Sequence, residues 1–136
     1  MAKDVERAKR IANVLELLER AGRRDLAEAT RRADDAQVAH DEVLASLVAD
    51  EFLSGPFVDL IARRLPRLAK QVEITSQHKA AALQVWQGCQ LRVVASARLV
   101  AEAKVDENRE REGRELAALL EILNGRVVQG SGKSHA

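Results

Sequence analysis

The spacing of its apolar and small residues constrains the fold of this chain more than any other feature. In the first third of the sequence they recur at alternating steps of three and four, in two runs: Ala8, Ile11, Leu15, Leu18 and Gly22, then Leu26, Ala29, Ala33, Ala36, His40, Val43 and Leu47. This is the spacing of a coiled-coil seam. The steps from Leu18 to Gly22 and from Gly22 to Leu26 are both four, which predicts one stutter in the supercoil. We therefore predict a single helix over residues 4 to about 53.

The break after this helix is Ser54-Gly55-Pro56. Glycine readily ends a helix, and proline is favoured in the first turn of the next one. We therefore predict a turn at residues 54–56 and a second helix from about 57 to about 124. Pro66 falls inside that helix and predicts a kink or a restart, because proline removes one backbone hydrogen bond and clashes with the preceding turn.

The second helix carries its own seam, which then thins out into a charged stretch around residues 106–115. Its members are Leu65, Leu68, Val72, Thr75, Lys79, Ala82, Trp86, Cys89, Val93, Ala97 and Val100, and the stripe returns at Leu116, Leu120, Leu123 and Val127. Asn124-Gly125 predicts a helix stop, and residues 129–136, rich in Gly and Ser, predict a flexible tail.

Two helices joined by a short connection are antiparallel neighbours. We therefore predict an all-α fold in which residues 1–128 form one antiparallel coiled-coil hairpin. Aromatic residues make up 2% of the chain and charged residues 32%. So few rings cannot fill a thick core, but small and aliphatic residues can fill a narrow seam between two helices.

No set of residues in the sequence predicts catalysis, a metal site or a cofactor. Gly130-Ser131-Gly132-Lys133-Ser134 imitates the end of a phosphate-binding loop, but the earlier glycine of that motif is replaced by Val127, and no strand precedes it. Ser76 and His78 are two residues apart, so they do not face each other on a helix. Asp106 and Glu110 have a metal-ligand spacing, but they fit ordinary surface charges. We therefore expect a protein that is not an enzyme.

Charge and cysteine content limit the partners and the compartment. The net charge of +1 gives no general attraction to nucleic acid, and the basic residues around Arg63 to Lys70 lack interleaved aromatic residues. The apolar runs are too short to span a bilayer, which takes about 20 residues. A single cysteine, Cys89, suits a reducing compartment. These features predict a cytoplasmic protein without an integral membrane segment.

Trp86 has two interpretations that the sequence leaves open. It can fill the seam beside Cys89, or it can be a hot spot for a partner, where tryptophan is enriched. The antiparallel geometry also brings residues 7–24 alongside Glu107, Glu110, Glu112 and Glu115, which predicts interhelical ion pairs that set the register.

The arrangement resembles the FliJ/YscO family, the small stalk proteins of flagellar and type III secretion export ATPases. The similarity lies in the segment Phe52-Leu53-Ser54-Gly55-Pro56-Phe57-Val58-Asp59-Leu60-Ile61, where that family often has a helix break followed by an apolar aromatic stripe. It extends to Arg98-Leu99-Val100-Ala101-Glu102 and to Arg114-Glu115-Leu116-Ala117. The Ala-rich first helix and Pro66 depart from the usual pattern of the family.

The resemblance implies a two-helix stalk whose joined termini enter the ring of ATPase subunits. It also implies contacts with the export gate and with substrate chaperones, so that any membrane association is peripheral, through the export machinery. The candidate partner contacts are charged residues near the termini together with the tryptophan: Arg7, Lys9, Arg10, Arg20, Glu110, Arg111, Arg114 and Trp86. A helical secretion chaperone and a structural coiled-coil scaffold, including a parallel homodimer, are the alternatives.

Overall fold

Two long helices account for the whole described chain. The structure, a computed structural model, describes the backbone of residues 2–49 and 55–133 and the side chains of residues 3–48 and 57–126. Helix α1 covers Ala2–Ala49 and helix α2 covers Gly55–Lys133, and the described residues contain no strand. The two helices pack against each other in an antiparallel hairpin, which confirms the predicted all-α fold.

The helix boundaries differ from the predicted ones. Helix α2 includes Gly55 and Pro56 of the predicted turn, whereas Ser54 lies outside the described residues. It continues to Lys133, beyond the predicted stop at Asn124-Gly125 and into the predicted flexible tail, whose residues 134–136 lie outside the described part. No glycine among the described residues has a positive φ angle, so Gly125 does not take the left-handed conformation that ends many helices.

Pro66 lies within helix α2, and the residues on both sides of it are helical. The predicted restart therefore does not occur, and the kink stays a prediction. Proline in a helix interior costs about 3 kcal/mol, because one hydrogen bond is lost and the ring clashes with the preceding turn. Its neighbours Leu65 and Leu68 are half-buried, and this packing helps to offset the cost.

The chain divides into two compact units. One, which we call the terminal unit, contains residues 1–14 and 94–136; the other, the central unit, contains residues 15–93. Each unit therefore contains a segment of α1 and a segment of α2.

The seam positions of α1 keep an unbroken alternation of three and four. The buried or half-buried residues that follow it are Val5, Ala8, Ala12, Leu15, Glu19, Gly22, Leu26, Ala29, Ala33, Ala36, His40, Val43 and Leu47. The predicted stutter near Gly22 is therefore wrong. Ile11 and Leu18, which carried that prediction, are 45% and 49% exposed, and the seam positions next to them belong to Ala12 and Glu19.

The seam of α2 also alternates without interruption. Its members from 61 to 110 include Thr75, Trp86, Cys89 and Ser96, and only Lys79 among these heptad positions is exposed. Ser96, which is 3% exposed, occupies the position predicted for Ala97. The Thr75 hydroxyl donates to the carbonyl oxygens of Gln71 and Val72 at 2.8 and 3.1 Å, which satisfies this polar group inside an apolar seam.

Close approach of the two helices in the central unit occurs where Gly22 meets Trp86. A Cβ built on Gly22 would lie 3.6 Å from the Cα of Trp86 and 3.8 Å from its Cβ. These are ordinary van der Waals distances, so one methyl group fits but a longer side chain meets the backbone of α2. Gly22 therefore leaves room for the indole in the seam.

We predict that Gly22→Ala and Gly22→Leu change stability in opposite directions. Alanine adds a methyl group at ordinary contact distance and gains about 1 kcal/mol of helix propensity, so the free energy of unfolding should rise. Leucine overpacks the seam and should lower it by about 1–3 kcal/mol.

Urea unfolding monitored by circular dichroism measures both changes. Gly113→Ala is the matched control, because a Cβ there meets nothing within 4 Å and contributes propensity alone. If Gly22→Leu were as stable as Gly22→Ala, the close approach of Gly22 to Trp86 would be refuted.

Candidate partner-binding surfaces

Trp86 lies in the seam of the central unit, as the first of its two interpretations predicts. Its indole Nε1 donates a hydrogen bond of 3.0 Å to Oε1 of Glu19 on the other helix. Arg23 donates to the same oxygen at 2.6 Å from one turn further along α1. The Glu19 side chain is only 12% exposed, whereas that of Arg23 is 65% exposed. A partly buried indole and carboxylate therefore link the two helices.

The electrostatics of Glu19 follow from these contacts. The hydrogen bond from Trp86 holds the pKa of the Glu19 carboxyl below its ordinary value of 4.5, and the bond and charge of Arg23 lower it further. Burial opposes the shift but does not overcome it. The pattern of apolar residues did not place Glu19 in the seam, because Leu18 beside it is more hydrophobic. The only sign of this seam position was the heptad spacing from Leu15 to Gly22.

The arginines of α1 that form ion pairs do so within their own helix. Arg23 pairs with Glu19, while Arg31 and Arg32 both pair with Glu28 at 2.6 and 3.1 Å. The bond from Arg31 lowers the pKa of the Glu28 carboxyl. Such exposed pairs at spacings of three and four stabilise a helix only weakly, because water screens them.

The predicted interhelical ion pairs with the glutamates of the charged stretch do not form. Among the residues with described side chains, Glu107, Glu110, Glu112 and Glu115 have no ion-pair partner. The reason lies in the register of the terminal unit. Asp4 and Arg7, near the start of α1, line the same groove as Ala103 and Asp106, so the glutamates further along α2 lie beyond them.

A groove crosses the terminal unit between its two helix segments. Its walls come from Asp4, Arg7, Ala8 and Ile11 on α1 and from Ser96, Leu99, Glu102, Ala103 and Asp106 on α2. Ile11 and Leu99 are 45% and 56% exposed, which gives the groove an apolar floor under a charged rim. Its volume is about 290 Å³. A cavity of ~150 Å³ accepts a benzene molecule, so this groove has room for an aliphatic side chain.

The segment of α2 from residue 111 to residue 126 is exposed at every side chain. It is nevertheless amphipathic, because large apolar residues recur on one face at steps of three and four: Leu116, Leu119, Leu120 and Leu123, each between 55% and 60% exposed. Ile122 is equally exposed but lies off this face. Within the described residues, this apolar helical face has no packing partner.

The other candidate contacts divide between the two units. Arg7, Lys9 and Arg10 are exposed on α1 in the terminal unit, and Arg7 lines the groove. Arg111 and Arg114 are exposed on α2 of the same unit, where Arg111 bonds to Asn108, and Glu110 is half-buried. Arg20 is exposed in the central unit. The structure therefore brings six of the eight predicted contacts into one unit and leaves Arg20 and Trp86 in the other.

Within the described residues, no three His, Cys, Asp or Glu side chains form a group that could hold a metal ion. In the same part of the chain, neither helix contains a stretch long and apolar enough to cross a membrane. His78 is exposed beside Asp25, Glu28 and Arg32 at the surface of the central unit.

Comparisons of this chain with protein-family models, with curated proteins and with solved structures found no match.

We predict that acidification destabilises the Trp86–Glu19 contact. The pKa of Glu19 is lower in the folded chain than its ordinary value of 4.5, so its stabilising contribution is present above that value and is lost as the pH falls through the folded pKa. Fluorescence reports directly on this site, because Trp86 is the single tryptophan.

Glu19→Gln keeps an oxygen that can accept the indole hydrogen bond but removes the charge. At neutral pH the variant should unfold at a lower temperature than the native chain. The difference should shrink as the pH falls below 4.5 and disappear once the pH is below the folded pKa of Glu19. Glu16→Gln is the control, since Glu16 is an exposed glutamate of the same helix that makes no bond to Trp86. An equal loss of stability in both variants, or a difference that persists in acid, would contradict the assignment.

Proposed function

We propose that this chain is a non-catalytic accessory protein of a type III export apparatus, flagellar or virulence-type, and that it binds the export ATPase ring. In this role it couples the ring to the export gate and to substrate chaperones. The proposal places the chain in the cytoplasm, associated with the membrane only through the export machinery. A lone free thiol, that of Cys89, is compatible with such a reducing compartment.

The observation that supports the proposal best is the exposed segment 111–126 of α2. A helix that leaves an apolar face in water gains by burying it against another protein, and helix-in-groove recognition uses anchors at this spacing. In the family that the sequence resembles, the joined termini are the part that enters the ATPase ring. Here Leu116 and Leu120 would supply the apolar anchors, and the nearby Arg111 and Arg114 would meet acidic groups of the ring.

The charged residues at the start of α1 extend the proposed contact surface. Arg7, Lys9 and Arg10 belong to the same unit as the exposed segment, and all three are exposed. Exposed charges of this kind speed and orient association more than they tighten it. We therefore assign the affinity to the leucine face and the orientation to the basic residues.

Exposed apolar residues elsewhere on α2 favour a second candidate, a helical secretion chaperone. Leu91 is 72% exposed in the central unit, and Val94 is 52% exposed in the terminal unit. A chaperone would use such side chains to hold an export substrate along a helix face. The chain should then protect a substrate segment from limited proteolysis, and Leu91→Glu should remove the protection.

We predict that the purified chain raises the ATP turnover of the export ATPase from the same source. The double variant Arg111→Glu/Arg114→Glu should slow association and thereby lower the apparent affinity by about tenfold or more, because the reversed charges repel the acidic groups that the arginines would meet. Arg63→Glu/Arg64→Glu is the control, because it reverses two exposed charges in the central unit.

Turnover measured against the concentration of each variant, together with co-purification, decides this prediction. A chain that neither co-purifies with the ATPase nor changes its turnover would rule the proposal out. Equal effects of the two double variants would rule out the terminal unit as the contact.

A further inference from the structure

Helix α2 carries a second line of positions outside the seam, within the terminal unit. These positions also alternate at steps of four and three, and all of them are exposed: Ala95, Leu99, Glu102, Asp106, Arg109, Gly113, Leu116, Leu120 and Leu123. We call this set the outer line. Its two ends are apolar and its middle is charged, and Leu99 at one end also forms the floor of the groove beside Ile11.

We propose that the outer line is the interface between two copies of this chain, whose α2 helices pair antiparallel about a two-fold axis between positions 107 and 108. In such an isologous contact each residue of the line meets a different residue of the second copy, and every contact occurs twice. Leu99 then faces Leu116 of the second copy, and Ala95 faces Leu120. The apolar face that water surrounds in one chain enters the groove of the other.

The charges of the middle part select this register. Asp106 of each copy faces Arg109 of the other, which gives two opposite-charge pairs at the centre of the interface. Neither residue has an ion-pair partner among the described residues of its own chain. Glu102 faces Gly113, where the space around the glycine is open because a Cβ there would meet nothing within 4 Å. The carboxylate of Glu102 can therefore turn toward the same arginine.

Other pairings of the line are worse. A parallel pairing in register sets Asp106 against Asp106 and Arg109 against Arg109, and like charges in direct contact oppose association. An antiparallel shift of one heptad in one direction sets Asp106 against Leu116, which buries a charge without a partner. A shift in the other direction sets Glu102 against Asp106. Only the two-fold pairing between 107 and 108 sets Leu99 against Leu116 and, at the same time, Asp106 against Arg109.

The groove and the length of the line support a second copy as the occupant. The groove has an apolar floor at Ile11 and Leu99. Its rim carries three acidic residues, Asp4, Glu102 and Asp106, against one basic residue, Arg7. The incoming segment brings leucines for the floor and arginines for the rim, so the two surfaces of one chain complement each other. The part of the line that pairs, from Ala95 to Leu120, extends about 38 Å at 1.5 Å per residue, which is ample for a helical dimer interface. Leu123 lies beyond it, opposite Arg92 of the second copy.

Sedimentation equilibrium of the full chain tests the dimer. We expect the native chain to approach twice its single-chain mass of 15.0 kDa as concentration rises. Leu120→Glu should weaken association by at least tenfold, whereas Ile122→Glu should leave it unchanged. The side chains of Leu120 and Ile122 are 55% and 54% exposed on the same helix. Because Ile122 lies off the outer line, Ile122→Glu is the matched control.

A mixing experiment tests the register. Asp106→Arg and Arg109→Asp should each weaken self-association by at least tenfold, because each puts like charges opposite each other at the centre. An equimolar mixture of the two variants should form a dimer with near-native affinity, since each arginine of one then faces an aspartate of the other. A change confined to one chain, such as a lost pairing between positions 106 and 109 of the same helix, cannot be repaired by mixing.

Circular dichroism of each variant checks that its helix content is native. A native chain that remains monomeric overturns the proposal and leaves the leucine face to the helix of another protein. Loss of association in Ile122→Glu, or its survival in Leu120→Glu, overturns the interface. A mixture that stays monomeric overturns the register. The test uses no ATPase, so a chain that stays monomeric leaves the proposed function standing. A dimer covers Leu116 and Leu120, so the two copies would then have to separate before these leucines bind the ATPase ring.

Discussion

The rest of this structure depends on the narrowness of the seam between α1 and α2. Small residues line much of the α1 side, and at Gly22 the helices come close enough for a single methyl group to fit against the Trp86 backbone. A seam between two helices shields only one line of side chains on each. The only hydrophobic residues that reach the level of a buried core are Val5 and Cys89 among the described side chains.

In so thin a seam, each buried polar group needs a hydrogen-bond partner from one of the two helices. Thr75 satisfies its hydroxyl within its own helix, whereas Glu19 reaches across to Trp86 and so ties one helix to the other. A carboxylate in an apolar seam specifies register, because sliding either helix by one turn would leave the indole N–H without its acceptor and the carboxylate with Arg23 of its own helix alone. Its stabilising contribution also depends on ionisation, which links the fit of the hairpin to pH.

The same narrowness explains why so much apolar surface faces water. Each helix has more large apolar residues than one seam can cover, and the surplus lies on the outer faces, most densely from Leu116 to Leu123. Exposed apolar residues that share one helix face are typical of surfaces that bind other proteins. Both proposals rest on this surplus: one directs the leucine face to an ATPase ring, and the other directs it to a second copy of the chain.

The sequence by itself determined the fold class, because heptad spacing fixes which faces of two helices can meet, and it placed Thr75, Trp86 and Cys89 in the seam. It misplaced Leu18, Ile11 and Ala97, since hydrophobicity cannot show that Glu19 gains a partner 67 residues away or that the small side chains of Ala12 and Ser96 occupy the seam. Only the tertiary structure decided the register. That register sets Asp4 and Arg7 beside Ala103 and Asp106, and it thereby leaves the leucines beyond residue 111 exposed.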